Sequence, residues 1–394
     1  MIYAKNQYNW CIFLKSLPMD TPFQSGAWKE QYWYRSFLPN LINRSFTWDD
    51  PRINILLEKA NFELWKLESF SSFIPDIDFF VSMHVWKEAI KSSRIEWTKT
   101  EFDDLFLEEN SEQTTEERDD HQEVRNYIQW LNHGISTLEN LPLSFRLFND
   151  IHKMLLTSVR WEYKNPWEIR RSQNWIGWSN LSNAFFVPPH HEDLDILTTD
   201  LEKFIHNDAL QIPELIKVAL AHYQFETIHP YLDGNGRIGR LIIILYLIEK
   251  KILSRPILYI SDFFERNKWS YYDALTMARS SNNIEHFILF FLTGIIETCQ
   301  SSLRTFQSII QMKKEIEEKI LWFGARAERA HTLLVHLFSH PIISISDIAN
   351  LLGVTHTTAN TLIQIFKDIW VLHEITGFKK HKIYIFEDYI KLFR

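Results

Sequence analysis

Cysteine is nearly missing from this chain: Cys11 and Cys299 are the only two in 394 residues. Thiols that far apart in sequence give no disulfide framework, so a reducing compartment, the cytoplasm, is expected. Positive charge is also short. Lys and Arg number 42 against 50 Asp and Glu, a net charge of −8, which gives no support for bulk nucleic-acid binding. Long apolar runs are absent too. The best, Leu241 to Ile248, is far below the ~20 residues of a bilayer-crossing helix. Met1 to Leu17 carries Lys5, Asn6, Gln7 and Asn9 where an export signal needs an unbroken apolar core. Glycine is the last scarcity: 10 residues, against 15 Trp, where average glycine usage is about 7%.

What is present reads as globular, with 45% hydrophobic and 23% charged residues and room for two or three domains. The pattern is mainly α. Residues 1–110 form an N-terminal section, mostly helical from Pro51 on. A polar acidic break, Glu108 to Asp120, precedes a helical core over 121–310. A charged helix, Lys313 to Lys319, leads to a C-terminal domain over 325–394. There, helices at Thr332 to Phe338, from Ser346 and at Thr357 to Ile369 are followed by short strands at Val371 to Glu374 and Lys382 to Phe386. That order predicts a winged helix-turn-helix. Its charge is nearly balanced, six Lys/Arg against five Asp/Glu over 331–394, with Lys379, Lys380 and Lys382 the only cluster. A protein-interaction or structural role fits that balance better than a phosphate-gripping one.

One stretch carries chemistry: His229-Pro230-Tyr231-Leu232-Asp233-Gly234-Asn235-Gly236-Arg237-Ile238-Gly239-Arg240. Gly234 and Gly236 let the backbone turn tightly and present N–H groups to an anion. The apolar run that follows predicts a buried helix from near Gly236, whose N-terminus favours phosphate. Arg237 and Arg240, three apart, suit phosphate oxygens. Asp233 is a hard oxygen ligand suited to Mg²⁺. His229 titrates near neutrality and can take a proton from a hydroxyl.

This segment resembles the Fic-domain signature, His-Pro-Phe-x-(Asp/Glu)-Gly-Asn-Gly-Arg-x-x-Arg, with Tyr231 in place of Phe. The resemblance implies a Fic-type helical core with a small β-hairpin flap. It implies transfer of AMP from ATP to a Ser, Thr or Tyr hydroxyl of a target protein, self-modification included. His229 would be the base, Asp233 the Mg²⁺ ligand, and Asn235 with Gly234 and Gly236 the α-phosphate holders. Arg237 and Arg240 would hold the outer phosphates. Glu168 to Gly177, leading through a polar turn to Ala184 to Pro189, matches the flap that aligns the target peptide by strand addition. Phe264-Glu265-Arg266-Asn267-Lys268 matches a segment near the adenosine end and adds Asn267. Glu88 to Glu96 resembles the family's inhibitory helix, which sets Glu96 against Arg240. A homodimer is open, and no membrane partner is expected.

Trp65, Trp97, Trp167, Trp178 and Trp370 stand where the resemblance leads one to expect Gly. Either they are genuine in a divergent member, or the source reads UGA as Gly. Two other functions stay open beside adenylyl transfer: removal of AMP with Glu96 positioning water, and DNA-binding regulation with a nucleotide-sensing core.

Overall fold

The computed structural model describes residues 22–72, 77–95, 115–155, 168–177, 180–377 and 382–393. Fourteen α-helices carry most of the described chain: α1 (Pro51–Ser72), α2 (Ile77–Ile95), α3 (Thr115–Thr137), α4 (Phe145–Leu155), α5 (Leu194–His206), α6 (Glu214–Ile228), α7 (Asn235–Glu249), α8 (Ser261–Arg266), α9 (Lys268–Ser281), α10 (Ile284–Ile320), α11 (Ala327–Ser339), α12 (Ile345–Leu352), α13 (His356–Asp368) and α14 (Glu387–Ile390). Seven short strands complete them: β1 (Gly26–Glu30), β2 (Arg35–Pro39), β3 (Ile176–Gly177), β4 (Ala184–Phe186), β5 (Ile342–Ser344), β6 (His373–Glu374) and β7 (Ile383–Ile385).

Two compact units interleave along the chain. The first comprises residues 1–57, 169–235 and 269–292; the second comprises 58–168, 236–268 and 293–394. Spatial grouping thus departs from sequence order.

In the first unit, β1 and β2 pair antiparallel from Gly26↔Pro39 to Glu30↔Arg35. The sequence reading contained no strand here. Phe37 of β2 is buried and meets Phe186 of β4 at 5.8 Å between ring centroids. β3 and β4 form the expected flap hairpin. Its turn is closed by two asparagines: Asn180 N–H donates to Asn183 Oδ1 at 3.1 Å, and Asn183 N–H to Asn180 Oδ1 at 3.2 Å. α5 packs on α6, and α6 is buried at every residue from Leu215 to Ile228. A helix buried on all sides belongs at the centre of its unit, and its polar residues Lys217, His222, Gln224, Glu226 and Thr227 are buried with the rest.

In the second unit, α2 packs on α3 and α8, and α3 packs on α4. Leu241 to Leu247 of α7 are at most 1% exposed, each worth about 1.5–3 kcal/mol of burial. α1 starts in the first unit, whose first stretch runs to Leu57, and begins as its sequence demands. Pro51 occupies the first helical turn, where a missing N–H costs nothing, and Asp50 Oδ1 accepts Arg52 N–H at 2.9 Å. At the C-terminal end, α12 starts at Ser344 with a reciprocal box to Asp347, and α12 packs on α13. The three-stranded antiparallel sheet has the order β5-β7-β6.

The expectation that Leu241 to Ile248 is the longest apolar run needs correction. Ile284–Ser339 holds an 18-residue window of mean hydropathy 1.2, long and apolar enough to cross a membrane. That window is 61% buried, as the core helix of a folded unit is.

Candidate active site

The signature is divided between the units: His229 to Asn235 belongs to the first and Gly236 to Arg240 to the second.

In the first unit, α6 stops at His229, whose φ of +50° and ψ of +62° are left-handed. Pro230 follows and cannot extend the helix. A non-glycine residue in this region is strained by roughly 1–2 kcal/mol, so other groups must hold it there. Two buried guanidiniums do. Arg170 donates to His229 O at 3.0 Å, Pro189 O at 2.6 Å and Ser172 O at 3.1 Å, and its own N–H donates to Pro230 O at 2.9 Å. Arg279 donates to Glu226 O and Thr227 Oγ1, both at 3.1 Å. Cations on the last carbonyls also offset the negative end of the helix dipole. Asn174 Nδ2 donates to Tyr231 O at 2.8 Å. The sequence reading placed Arg170 and Asn174 only in the approach to the flap, and it did not single out Arg279.

Burial first, then the charges of Arg170 and Arg279, push the His229 pKa down to about 3. The residue as a whole is part-exposed. The imidazole is therefore neutral at pH 7, and its Nδ1 has no hydrogen-bond partner. A neutral ring with an unengaged nitrogen is a proton acceptor or a donor at need.

The turn beyond it is closed by its own side chains. Asp233 is part-exposed, and its Oδ1 accepts Gly234 N–H at 2.6 Å. Gly234 has φ +74°, where a Cβ is disfavoured. Asn235 is buried, accepts Tyr231 N–H and donates to Tyr231 O, each at 2.8 Å. Its amide, expected on the α-phosphate, closes the loop on Tyr231.

In the second unit, the first turn of α7 carries Gly236 and Arg237. Helix-start N–H groups there lack an intrahelical acceptor and favour an anion. Arg237 and Arg240 are 2% and 1% exposed. Arg240 donates Nε to Ser92 Oγ at 2.9 Å and Nη2 to Ser92 O at 2.8 Å. Its expected partner, Glu96, lies outside the described residues. Ser92 stands one helical turn before it on α2. A further turn back is Glu88, fully buried. Glu88 accepts from Ser261 Oγ at 2.5 Å, Tyr127 O–H at 3.2 Å and Ser261 N–H at 3.2 Å. Burial pushes its pKa up to about 7, against the Ser261 hydrogen bond and the Arg240 charge.

Asn267 ends α8 on itself. Its N–H and Nδ2 both donate to Phe263 O, at 3.0 and 2.9 Å. Its neighbours bind α2: Lys91 pairs with Glu265 at 3.5 Å and Asp262 at 3.7 Å, and Lys268 Nζ donates to Ile95 O at 2.7 Å. Trp97, Trp167, Trp178, Lys379 and Lys380 lie outside the described residues. Trp65 is an exposed residue within α1, and Trp370 has φ +64°.

A helical frame, a hairpin flap and a His-to-Arg loop–helix segment define a Fic-type protein. Comparison with known proteins agrees. Residues 55–136 match the Fic/DOC family N-terminal model and residues 142–247 the Fic/DOC family model. A protein adenylyltransferase Fic from Aedes aegypti is 29% identical over 175 residues, 44% of this chain and 32% of that one. Its counterpart from Drosophila virilis is 31% identical over 108 residues, 27% and 20% of the two chains. The chain thus spans about a third or less of the length of these curated relatives. A Fic family protein from Desulfovibrio desulfuricans superposes with a TM-score of 0.56 at 16% identity, over 87% of this chain and 98% of that one. A Fic-domain signaling protein from Bacteroides thetaiotaomicron gives 0.51 at 17%, over 62% and 96%. The chain belongs to the Fic/DOC family.

Proposed function

We propose that this chain is a protein adenylyltransferase that uses ATP with Mg²⁺ in the cytoplasm. The observation that carries the reading is His229. It is neutral, has an unengaged Nδ1, and is flanked by two guanidiniums that donate to backbone and hydroxyl oxygens around it. A target hydroxyl oxygen attacks the α-phosphorus, the bond to pyrophosphate breaks, and His229 takes the hydroxyl proton. The helix start at Gly236 and Arg237 suits the phosphates. Asp233 is a part-exposed carboxylate, and Mg²⁺ usually takes one or two carboxylates, substrate phosphates and water. When bound, the ion would neutralise phosphate charge. Such a reaction is mostly positioning and charge stabilisation. The β3–β4 hairpin, with Phe185 60% exposed, suits strand addition by the target.

Control fits the same reading. A carboxylate at Glu96 on Arg240 would compete with the outer phosphate. Ser92 already engages that guanidinium. The test is incubation with α-labelled ATP and Mg²⁺, followed by intact mass. A gain of one AMP moiety on the chain or a target is expected; no gain from ATP or any other nucleotide donor overturns the transferase reading. Glu96→Gly is expected to raise labelling, and adding Arg240→Ala to lose most of that gain, because the two groups act on one another.

A further inference from the structure

The strand leaving the flap runs into Pro188-Pro189-His190-His191-Glu192. Two prolines hold the entry extended. His190 continues it, with φ −61° and ψ +146°. The chain then closes a single tight turn over His191–Asp193, with Asp193 N–H on His190 O at 3.0 Å. That turn gathers the side chains of His190, His191 and Glu192. One donor atom from each lies within 4.8 Å of the other two. We propose that this cluster binds a divalent transition-metal ion of the Zn²⁺ class, separately from the Mg²⁺ expected at Asp233.

The chemistry of the donors selects the class. Two imidazoles and a carboxylate suit Zn²⁺, Co²⁺ or Ni²⁺, whereas Mg²⁺ and Ca²⁺ prefer oxygen alone. Donors about 2.0–2.1 Å from a tetrahedral Zn²⁺ lie roughly 3.3 Å apart. His190 Nδ1 and Glu192 Oε2 are 3.6 Å apart, close to that edge already. The two rings lie 4.2 Å apart between centroids, and all three donor atoms fall within 4.8 Å of one another. Metal needs neutral imidazole. His191 Nδ1 is buried with no hydrogen-bond partner. Asp193, the next carboxylate, is engaged by Lys29 at 3.3 Å, which leaves Glu192 as the oxygen ligand. Three protein ligands leave a fourth position to water.

The ion would act as a clamp on the flap. Pro189 O accepts from the same Arg170 guanidinium that holds His229 O, and Pro188 O accepts from Gln173 at 2.9 Å. Pinning residues 190–192 therefore stiffens the exit of β4 without touching a reacting group.

The test titrates metal-stripped full-length chain with Zn²⁺ by calorimetry and with Co²⁺ by visible absorption. One equivalent is expected, weakened at least about tenfold in His190→Asn/His191→Asn and retained in Asp233→Asn. Zn²⁺ should also slow amide exchange across residues 184–193 of the wild type. Undiminished binding in the double variant, or loss in Asp233→Asn instead, overturns the assignment. Glu192→Gln, at an exposed position, decides the matter if the double variant fails to fold. An altered Co²⁺ spectrum supports the site, and an unchanged one refutes it.

Discussion

The two halves of the signature are held in opposite ways. In the first unit, His229 sits in a strained left-handed conformation, and its backbone is gripped by Arg170 while its ring nitrogen is left unengaged. In the second unit, Arg240 lies on a regular helix, and it is the side chain that is gripped, by Ser92 of α2. A group that must receive a proton has its position secured through its backbone. A group proposed to receive phosphate is held through its guanidinium Nε and Nη2. The first arrangement is ready for chemistry; the second must be released for it. Under the proposed function, control would belong to α2 and catalytic readiness to the loop after α6.

The largest expected effect tests readiness. His229→Ala should lower adenylyl transfer by about 10²–10⁴-fold and leave ATP affinity nearly unchanged, because the imidazole has a proton to take and no phosphate to hold. Arg237→Ala should do the reverse and weaken nucleotide binding. Single-turnover rates and ATP binding measured on both variants check the contrast. Matching losses in both quantities for both variants would break it.

Next comes the grip itself. Arg170→Ala removes donors from the carbonyls of His229, Pro189 and Ser172, leaving the buried Pro189 carbonyl without this donor and the His229 carbonyl with Asn174 at 3.3 Å. The expected cost is about 3 kcal/mol of stability, with a fall in kcat larger than any change in KM. Chemical denaturation and steady-state kinetics read the two. Lysine at this position should restore little, since one ammonium cannot reach carbonyls on separate segments.

Sharpening the other half calls on pH. A carboxyl whose folded pKa lies above its unfolded one binds more protons when folded. Its stabilisation is complete below about pH 4.5 and is lost as pH rises through about 7. Glu88→Gln, which keeps the shape without the charge, should remove that decline. At pH 8 the variant should be more stable than wild type by about 2 kcal/mol. Thermal unfolding of both proteins from pH 4 to 8 checks it through their difference, and a constant difference would show that Glu88 does not titrate in that window.

How much of this could be read beforehand follows the reach of each contact. The signature was legible because its base, turn and arginines are contiguous, and α7 starts where the apolar run predicts. α1 was legible from Pro51, and α12 was legible as a helix, though its cap is Ser344 and not the expected start at Ser346. Arg170, Asn174 and Arg279 were not. They reach the loop across 59, 57 and 53 residues, and no local spacing records which carbonyl a guanidinium will find. The β1–β2 hairpin was missed for another reason. Its turn, Gln31 to Tyr34, closes by Gln31 N–H on Tyr34 O at 2.8 Å without the Gly, Asn, Asp or Pro that mark turns. Asn235 was legible in place, but its closure on Tyr231, four residues before it, was not.

The smallest expected effect compares two helix ends within the second unit. α12 ends at Gly353, φ +60°, the residue type that conformation favours. α13 ends in the same way. Trp370 N–H donates to Lys367 O at 3.0 Å and Val371 N–H to Phe366 O at 2.9 Å, the paired bonds of a left-handed helix stop. Yet the residue at φ +64° is tryptophan, 75% exposed. An exposed ring regains little by burial, while its Cβ carries the left-handed strain of about 1 kcal/mol. Trp370→Gly should therefore stabilise the chain by about that amount, against the usual cost of replacing a large side chain with glycine. Trp65→Gly, within α1, should instead destabilise it by about 1 kcal/mol. Urea midpoints of the two variants give the answer directly. A loss of stability in Trp370→Gly would mean that the indole contributes contacts outweighing the strain. A gain would also favour glycine as the residue this position was built for, and the codon, UGA or UGG, would then tell whether the gene already encodes it.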